Sequence, residues 1–266
     1  MIRIGVVQFE PVFGETEKNL EKVETLLAGR NLDLIVLPEL FCSGYLFSSR
    51  DEVEALAQSI PDSPVIERLK EWSHELNGTI VAGIPERAAD GFYNSAVIID
   101  AREKLVDVYR KVHLFAEEKR WFRPGNLGFR VWSVRGMQLG IMVCFDWIFP
   151  EACRTLMLKG AQVIAHPANL VLPYCQRALP IRSLENRVFI ACANRVGDDI
   201  RSPERRLHFT GNSMITGPDA SILGQLDDTT ESLLEVEIDL TTARNFWMTS
   251  FNHLLVDRRP ETYQPL

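Results

Sequence analysis

Residues 139–151 read Leu-Gly-Ile-Met-Val-Cys-Phe-Asp-Trp-Ile-Phe-Pro-Glu, an apolar run that ends on Cys144 and is followed by a proline. This stretch predicts a buried strand and then a helix, because Pro150 fits a first helical turn and Glu151 is favourable near the positive end of a helix. A thiol between the two elements suits a nucleophile, and backbone N–H groups near Phe145 would help to bind an oxyanion. Without further context, however, a single cysteine is more often structural than catalytic.

Similar apolar runs alternate with amphipathic stretches on both sides of this segment. Buried strands are predicted at residues 2–9, 32–37, 79–84, 96–99, 139–144, 163–165 and 188–193. Helices are predicted at residues 15–30, 64–76 and 150–158, and short strands at 212–216, 221–226 and 233–238. Alternating strands and helices followed by hairpin-like strands favour a layered α/β sandwich.

The composition is that of a globular protein and indicates one domain over residues 1–266, with 46% hydrophobic and 24% charged residues. The formal charge of −7, from 36 acidic and 29 basic residues, gives no reason to expect nucleic-acid binding. The arginine-rich residues 201–206 are predicted to be a polar loop, solvated or paired with nearby acids. The apolar opening is too short for a signal sequence or a membrane span, so a cytoplasmic protein is expected.

The five cysteines are odd in number and contain no C-x-x-C pair, which predicts reduced thiols rather than disulfides or a zinc cage. Cys153 and Cys192 lie in helix-like and strand-like patterns and are predicted to be core residues. Cys42 and Cys175 fall in candidate rim loops, and their roles stay open.

Two other reactive side chains directly follow apolar runs, where a strand end would present them at a rim. Glu39 lies among apolar neighbours and suits a general base, although a glutamate at a loop end is more often an ion-pair partner. Lys111 could place its ammonium on an oxyanion or simply extend to solvent. Glu117 and Glu118 follow closely, and chemistry alone does not decide between them.

These motifs together resemble the nitrilase superfamily of carbon–nitrogen hydrolases. The segments Pro-Glu-Leu around Glu39, Arg-Lys-Val-His-Leu around Lys111 and Cys-Phe-Asp-Trp from Cys144 match its Glu-Lys-Cys triad in order and spacing. The resemblance spans nearly the whole chain and includes six further segments. They are Val6-Val7-Gln8-Phe9, Asn94-Ser95-Ala96, Glu118-Lys119-Arg120-x-Phe122, His166-Pro167-Ala168-Asn169, Arg182 to Arg187 and Gly211-x-Ser213.

The resemblance implies a role for each matched residue. Glu39 would take the proton of Cys144, Cys144 would attack the carbon of the C–N bond, and Lys111 with the Phe145 N–H would stabilise the oxyanion. Glu118 would be the family's second glutamate, which orients the substrate and the lysine. The residues that would line the pocket are Tyr45, Trp121, Trp147, Asn169 and Leu170. His113 and His166 are predicted to be structural.

The resemblance favours hydrolysis of a small amide, such as an aliphatic amide, an ω-amide or an N-carbamoyl compound, to an acid and ammonia. Nitrile hydrolysis is the alternative, because the stretch from Cys144 to Arg187 also resembles a short archaeal and bacterial subgroup of aliphatic nitrilases. A metal-dependent hydrolase using Glu39, Asp146 and His166 is a third reading. The missing H-x-H or H-E-x-x-H spacing counts against it, and neither a metal nor another cofactor is predicted.

The resemblance also implies a four-layer αββα sandwich and a homodimer. In such a dimer the C-terminal tail, residues 250–266, would reach the partner subunit. Larger homo-oligomers are compatible with the same reasoning.

Overall fold

The computed structural model describes residues 1–263, which form two large β-sheets, a separate two-stranded hairpin and six α-helices. The strands are β1 (Ile2–Gln8), β2 (Leu34–Val36), β3 (Gln58–Ser59), β4 (Thr79–Ala88), β5 (Gly91–Asp100), β6 (Leu105–Arg110), β7 (Val131–Val134), β8 (Met137–Ile141), β9 (Val163–Pro167), β10 (Phe189–Ala193), β11 (Asp198–Ser202), β12 (Arg205–His208), β13 (Met214–Thr216), β14 (Ile222–Gln225) and β15 (Ser232–Ile238). The helices are α1 (Thr16–Leu27), α2 (Arg50–Leu56), α3 (Pro64–Leu76), α4 (Glu118–Trp121), α5 (Pro150–Leu158) and α6 (Cys175–Asn186).

Each sheet has parallel strands at its centre and antiparallel strands at its edges. The first sheet has the order β15-β1-β2-β4-β5-β6, with β3 paired to β4. The second has the order β14-β13-β10-β9-β8-β7, in which β8, β9 and β10 are parallel. The central strands are apolar along their whole length because both of their faces are covered.

The two sheets pack face to face, and helices cover their outer faces. Between the sheets lies a core that includes Val6 and Val36 from the first sheet and Ile141 and Ile190 from the second. A second core joins the outer face of the first sheet to α1 and α3, through residues such as Trp72. Helices α5 and α6 cover the second sheet. This arrangement confirms the predicted four-layer αββα sandwich.

The predicted helices at 64–76 and 150–158 are confirmed with the same bounds, whereas α6 was missed. Helix α6 contains Pro180 and has little apolar periodicity, so the signal on which a helix prediction rests is weak there. Cys175 is buried at its start rather than lying in a rim loop, and Cys42 is also buried. The five cysteines are all free.

Two local predictions were wrong. The strand predicted to reach Cys144 ends at Ile141, and Cys144 instead opens a short 3₁₀ helix, Cys144–Ile148. The arginine-rich loop is part of a hairpin, β11 and β12, whose charged strands lack the alternating apolar pattern that predicts a strand. The expected pairing with acids is confirmed, since Arg201 bonds Glu52 and Arg205 bonds Glu117.

The C-terminal segment contains several exposed apolar side chains, including Phe251 and Val256. Its assignment to a dimer contact stays a prediction, and residues 264–266 of the predicted tail lie outside the described residues. Among residues 1–263, no helix is both long enough and apolar enough to cross a membrane.

Candidate active site

The three candidate catalytic side chains lie where strands of the two sheets end. Glu39 follows β2, Lys111 follows β6, and Cys144 begins the 3₁₀ helix after β8. Lys111 and Glu39 are fully buried, and Cys144 is 4% exposed. The fold therefore places three groups that lie far apart along the chain in one buried region, where Lys111 contacts Glu39 and both charges act on the Cys144 thiol.

Close backbone packing holds the loop that carries Glu39. Gly83 of β4 faces this loop, and a Cβ atom at position 83 would lie 2.4 Å from the Cα of Glu39. The Gly83 N–H also donates to the carbonyl oxygen of Pro38 at 3.2 Å. Only glycine allows this approach, so the position of Glu39 depends on the absence of a side chain at residue 83.

Lys111 is held between two carboxylates. Its Nζ lies 2.6 Å from Oε1 of Glu39 and 2.7 Å from Oε1 of Glu118. The Glu118 oxygen also accepts from the Tyr45 hydroxyl at 2.6 Å, and the Asn94 side-chain amide donates to Glu39 at 2.7 Å. Two buried carboxyl groups thus share one buried ammonium, which fixes the position of the Lys111 side chain.

Burial raises the pKa of Glu118, and the like charge of Glu39 acts in the same direction while Lys111 opposes it. Sequence reasoning left Glu117 and Glu118 open before the family resemblance was considered. The structure separates them, because Glu118 is buried against Lys111 whereas Glu117 is partly exposed and pairs with Arg205.

One oxygen of Glu39 has no hydrogen-bond partner. Oε1 accepts from both Lys111 and Asn94, but Oε2 is buried and unpaired. Buried carboxylate oxygens in folded proteins nearly always have partners, so an unpaired one requires an explanation. A role as proton acceptor for a reacting group would explain why Oε2 has no partner.

Cys144 has an unusual backbone. Its φ of +42° lies in the left-handed region, which side-chain-bearing residues rarely adopt and which occurs often at functional sites. The thiol lies 3.7 Å from the carbonyl oxygen of Asn169 and donates to it. The Asn169 side-chain amide in turn donates to the carbonyl oxygen of Glu39 at 2.8 Å, so Asn169 links the segments that carry Cys144 and Glu39.

The surroundings of Cys144 favour the protonated thiol over the thiolate. Burial raises its pKa well above the usual range, the negative charge of Glu39 raises it further, and Lys111 opposes both. A cysteine in this state needs a base at the moment of attack, because only the thiolate is a strong nucleophile.

A small apolar cavity opens onto this thiol. Its volume is about 50 Å³, and its lining residues are Phe115, Cys144, Phe145, Trp147, Ile148, Asn169, Leu170, Val171, Leu172 and Tyr174. Four of the predicted pocket residues, Phe145, Trp147, Asn169 and Leu170, are therefore beside the thiol. A single water needs roughly 10–15 Å³, so the cavity has room for only a few heavy atoms.

A second, larger cavity of about 390 Å³ shares Phe115 with the first. The other two predicted pocket residues, Tyr45 and Trp121, line this second cavity together with Glu118 and do not line the one that touches Cys144. The β11–β12 hairpin contributes Arg205 to its wall.

Sequence reasoning did not identify the hydrogen bonds that hold the residues around Cys144 in place. Asp146 accepts hydrogen bonds from the Val143 N–H at 2.9 Å and the Tyr109 hydroxyl at 2.7 Å, and its other oxygen lies 2.8 Å from Nδ1 of His113. Asn94 was noted in a motif without a role. The signal available for Asn94 was its position as a polar residue inside an otherwise apolar strand, which indicates a specific hydrogen-bond partner.

The three residues of the metal-dependent reading do not form a ligand set. Asp146 is occupied by its hydrogen-bond donors, Glu39 faces Lys111, and His166 faces the backbone of Cys144. In the part of the chain that the structure describes, no group of three or more His, Cys, Asp or Glu residues is placed to hold a metal ion.

Comparisons with known proteins give matches along nearly the whole chain. The family model described as carbon-nitrogen hydrolase matches residues 3–246. A protein named nitrilase from Pyrococcus abyssi is 46% identical, over 99% of each chain. The crystal structure of a carbon-nitrogen hydrolase from Helicobacter pylori G27 superposes with a TM-score of 0.85 at 27% identity, covering 98% of this chain and 97% of the other.

An amidase from Nesterenkonia sp. AN1 is also similar, with a TM-score of 0.79, 27% identity and 98% of each chain covered. The structure is of a glutamate-to-glutamine mutant of that amidase and shows the product of Michael addition of acrylamide at its active-site cysteine.

Proposed function

The chain belongs to the carbon-nitrogen hydrolase family, and from that premise we propose that it hydrolyses small amides to a carboxylic acid and ammonia through a thioester on Cys144. The observation that carries the proposal is the buried cluster in which Lys111 bridges Glu39 and Glu118, together with the buried thiol of Cys144. The cysteine adduct in the similar Nesterenkonia amidase supports a nucleophilic role for this thiol.

Attack on the amide begins with proton transfer. The unpaired Oε2 of Glu39 takes the Cys144 proton while the sulfur bonds to the carbonyl carbon, and the electron pair of the C=O bond moves to oxygen. The Lys111 ammonium and the Phe145 N–H stabilise the resulting oxyanion. Glu39 then returns the proton to the leaving nitrogen, the C–N bond breaks, and ammonia departs.

Hydrolysis of the thioester repeats these steps with water. Glu39 removes a proton from the water, the oxygen attacks the thioester carbon, and the C–S bond breaks to give the acid and the free thiol. One carboxylate thus serves both half-reactions. Glu118 and Tyr45 keep Lys111 in place throughout, because Glu118 bonds both the ammonium and the hydroxyl.

The cavity at Cys144 favours a short, uncharged acyl group. Its wall is almost entirely apolar and its volume is about 50 Å³, which leaves little room beyond the reacting group itself. The larger neighbouring cavity, with charged residues such as Arg205 on its wall, is where a longer or polar part of a substrate would extend.

Nitrile hydrolysis is the second candidate, because the 46% identical protein from Pyrococcus abyssi is named a nitrilase. A nitrile carbon attacked by Cys144 would give a thioimidate. Addition of water and loss of ammonia would then produce the same thioester, so the same residues serve both substrates.

A substrate panel separates the two candidates. We expect ammonia release from C2–C4 aliphatic amides, unchanged by EDTA, with slower release from ω-amido acids, N-carbamoyl amines and the matching nitriles. Turnover of nitriles alone would favour the second candidate with the same triad. Activity lost with EDTA and restored by a divalent ion would contradict the cysteine mechanism.

Replacing Lys111 by methionine is expected to lower both turnover and stability. Loss of an oxyanion donor typically lowers kcat about 10²- to 10³-fold. It would also leave Glu39 and Glu118 buried without their common cation, at a cost of about 3–5 kcal/mol in the free energy of unfolding. Steady-state ammonia assays and urea unfolding measure the two effects.

The stability loss of this variant should depend on pH in a defined direction. The pKa of Glu118 is already raised by burial, and without Lys111 it rises further. A carboxyl group whose pKa is higher in the folded state contributes stability at low pH and loses it as pH rises through that pKa. Urea unfolding should therefore show a smaller deficit at pH 5 than at pH 8. An equal deficit at both would contradict the assigned ion cluster.

A further inference from the structure

A buried imidazole lies behind the nucleophile and has no role in the reaction described above. His166, on β9, is fully buried, and its Nε2 lies 3.0 Å from the carbonyl oxygen of Cys144. A carbonyl oxygen can only accept, so Nε2 must carry the proton and donate. The histidine is therefore bonded to the backbone of the catalytic cysteine and not to its thiol.

This hydrogen bond acts on a peptide unit with two functional ends. The carbonyl of Cys144 and the N–H of Phe145 belong to the same planar trans peptide, in which the C=O and N–H bonds point in opposite directions. Whatever fixes the direction of the carbonyl also fixes the direction of the N–H. That N–H is the backbone donor assigned to the oxyanion.

We propose that His166 is a positioning residue that holds the Cys144–Phe145 peptide so that the Phe145 N–H points at the oxyanion. This inference rests on the proposed function, because it assigns a cause to the orientation of one donor in that mechanism. His166 touches neither the substrate nor the reacting sulfur, and it acts through the peptide.

The backbone at this position needs such an anchor. Cys144 has a φ of +42°, a conformation that a residue with a side chain adopts only when its surroundings enforce it. Asp146 holds the preceding Val143 N–H at 2.9 Å, on the other side of the cysteine. His166 and Asp146 thus fix the chain on both sides of the strained residue.

The second ring nitrogen of His166, Nδ1, is buried without a hydrogen-bond partner in the described part of the chain. Cys192 is the register partner of His166 on the neighbouring parallel strand β10, so the two side chains project to the same face of the sheet. The neighbouring Cys175 thiol, and after it the charge of His166, lower the pKa of Cys192 to about 5 against the effect of burial. The pKa of His166 is raised by Cys192, although burial alone would lower it.

Either protonation state of this pair leaves the proton on Nε2. A thiolate at Cys192 would face an imidazolium, in which both ring nitrogens carry protons. With a neutral thiol at Cys192, the single proton of a neutral imidazole lies on Nε2, because Nε2 faces a carbonyl oxygen and Nδ1 has no partner. In both states His166 therefore donates to the Cys144 carbonyl.

Two amide substitutions test the inference, because they differ only in reach. The side-chain nitrogen of His166→Gln lies close to the position of Nε2 and can still donate to the carbonyl, whereas that of His166→Asn lies near Nδ1 and cannot. We expect His166→Asn to lower kcat about 10- to 10³-fold, up to the effect of losing an oxyanion donor, with KM within about threefold. His166→Gln should stay within about tenfold of the wild type.

The rate at which iodoacetamide alkylates Cys144 distinguishes positioning of the Phe145 N–H from a general structural role of His166. Alkylation forms the S–C bond as iodide leaves, and no oxyanion develops, so its rate depends on the thiol and not on the Phe145 N–H. We expect alkylation of His166→Asn within about threefold of the wild type while kcat falls. The control is Cys153→Ala, which removes a buried thiol from α5 and tests the effect of a change in core packing alone. It should leave both rates unchanged.

Three results would overturn the inference. They are equal kcat values for the Asn and Gln variants, a kcat of His166→Asn within threefold of the wild type, or alkylation that falls in parallel with kcat. A wild-type protein that releases ammonia from no member of the panel would contradict the proposed function itself, and the two failures are thereby distinguished.

Discussion

Cys144→Ala is expected to lower ammonia release by a factor on the order of 10⁵–10⁶, as removal of a covalent nucleophile does in other hydrolases. The variant has no atom that can form the thioester, and the remaining cluster of Glu39, Lys111 and Glu118 offers only electrostatic stabilisation. Because Cys144 is 4% exposed and alanine is small, the fold should tolerate the change. Ammonia release under saturating substrate measures the effect.

The control for this variant is Cys153→Ala, in which an equally buried thiol is removed from α5. It should retain wild-type kcat. That result would show that the loss of ammonia release in Cys144→Ala does not follow simply from removing a buried thiol. Turnover by Cys144→Ala above about one per cent of the wild-type rate would refute the nucleophilic role of Cys144.

Glu39→Gln is expected to lower kcat about 10³- to 10⁴-fold, near the upper end of what a positioned general base contributes. The substitution keeps the shape of the side chain, and its oxygen can still accept from Lys111 and Asn94. What it removes is the unpaired Oε2, which becomes an amide nitrogen that cannot take a proton. Both half-reactions should therefore slow.

The same variant should still be alkylated at Cys144, which separates loss of the base from loss of the nucleophile. The negative charge of Glu39 raises the pKa of the thiol, so its removal lets the thiolate form at a lower pH than in the wild type. Iodoacetamide labelling between pH 7 and 10 would measure this shift. Glu71→Gln, an exposed glutamate on α3, is the control and should behave as the wild type.

A variant in which alkylation of Cys144 is lost together with turnover would contradict this assignment, provided that the protein is folded. It would mean that Glu39 maintains the structure of the nucleophile loop rather than acting as a base. Retained turnover would place the base elsewhere.

Local signals nominated three candidate residues, and the catalytic roles expected of them came from the family resemblance. Glu39, Lys111 and Cys144 each follow an apolar run, and strands that end at one edge of a layered fold bring such residues together. Helices α3 and α5 were predicted with their bounds because proline marks their starts and apolar residues recur with helical spacing.

The features that the sequence did not predict depend on tertiary contacts. Helix α6 lacks a clear apolar face, and the charged hairpin β11–β12 lacks strand periodicity. Tyr109, the partner of Asp146, and Glu39, the partner of Asn94, lie on segments that are distant along the chain, so a local pattern does not identify these partners. A strand was predicted as far as Cys144, but the backbone of Cys144 is left-handed, because the surrounding contacts override the local preference for extended backbone.

The covalent intermediate is the most direct test of the central claim. The wild-type protein is mixed with a short aliphatic amide, quenched in acid within the first turnovers, and examined by intact and peptide mass spectrometry. We expect an acyl group in place of the thiol proton on the peptide that contains Cys144, and no adduct on the other four cysteines. Sustained ammonia release with no adduct at Cys144, or with the acyl group on another residue, would contradict the thioester mechanism.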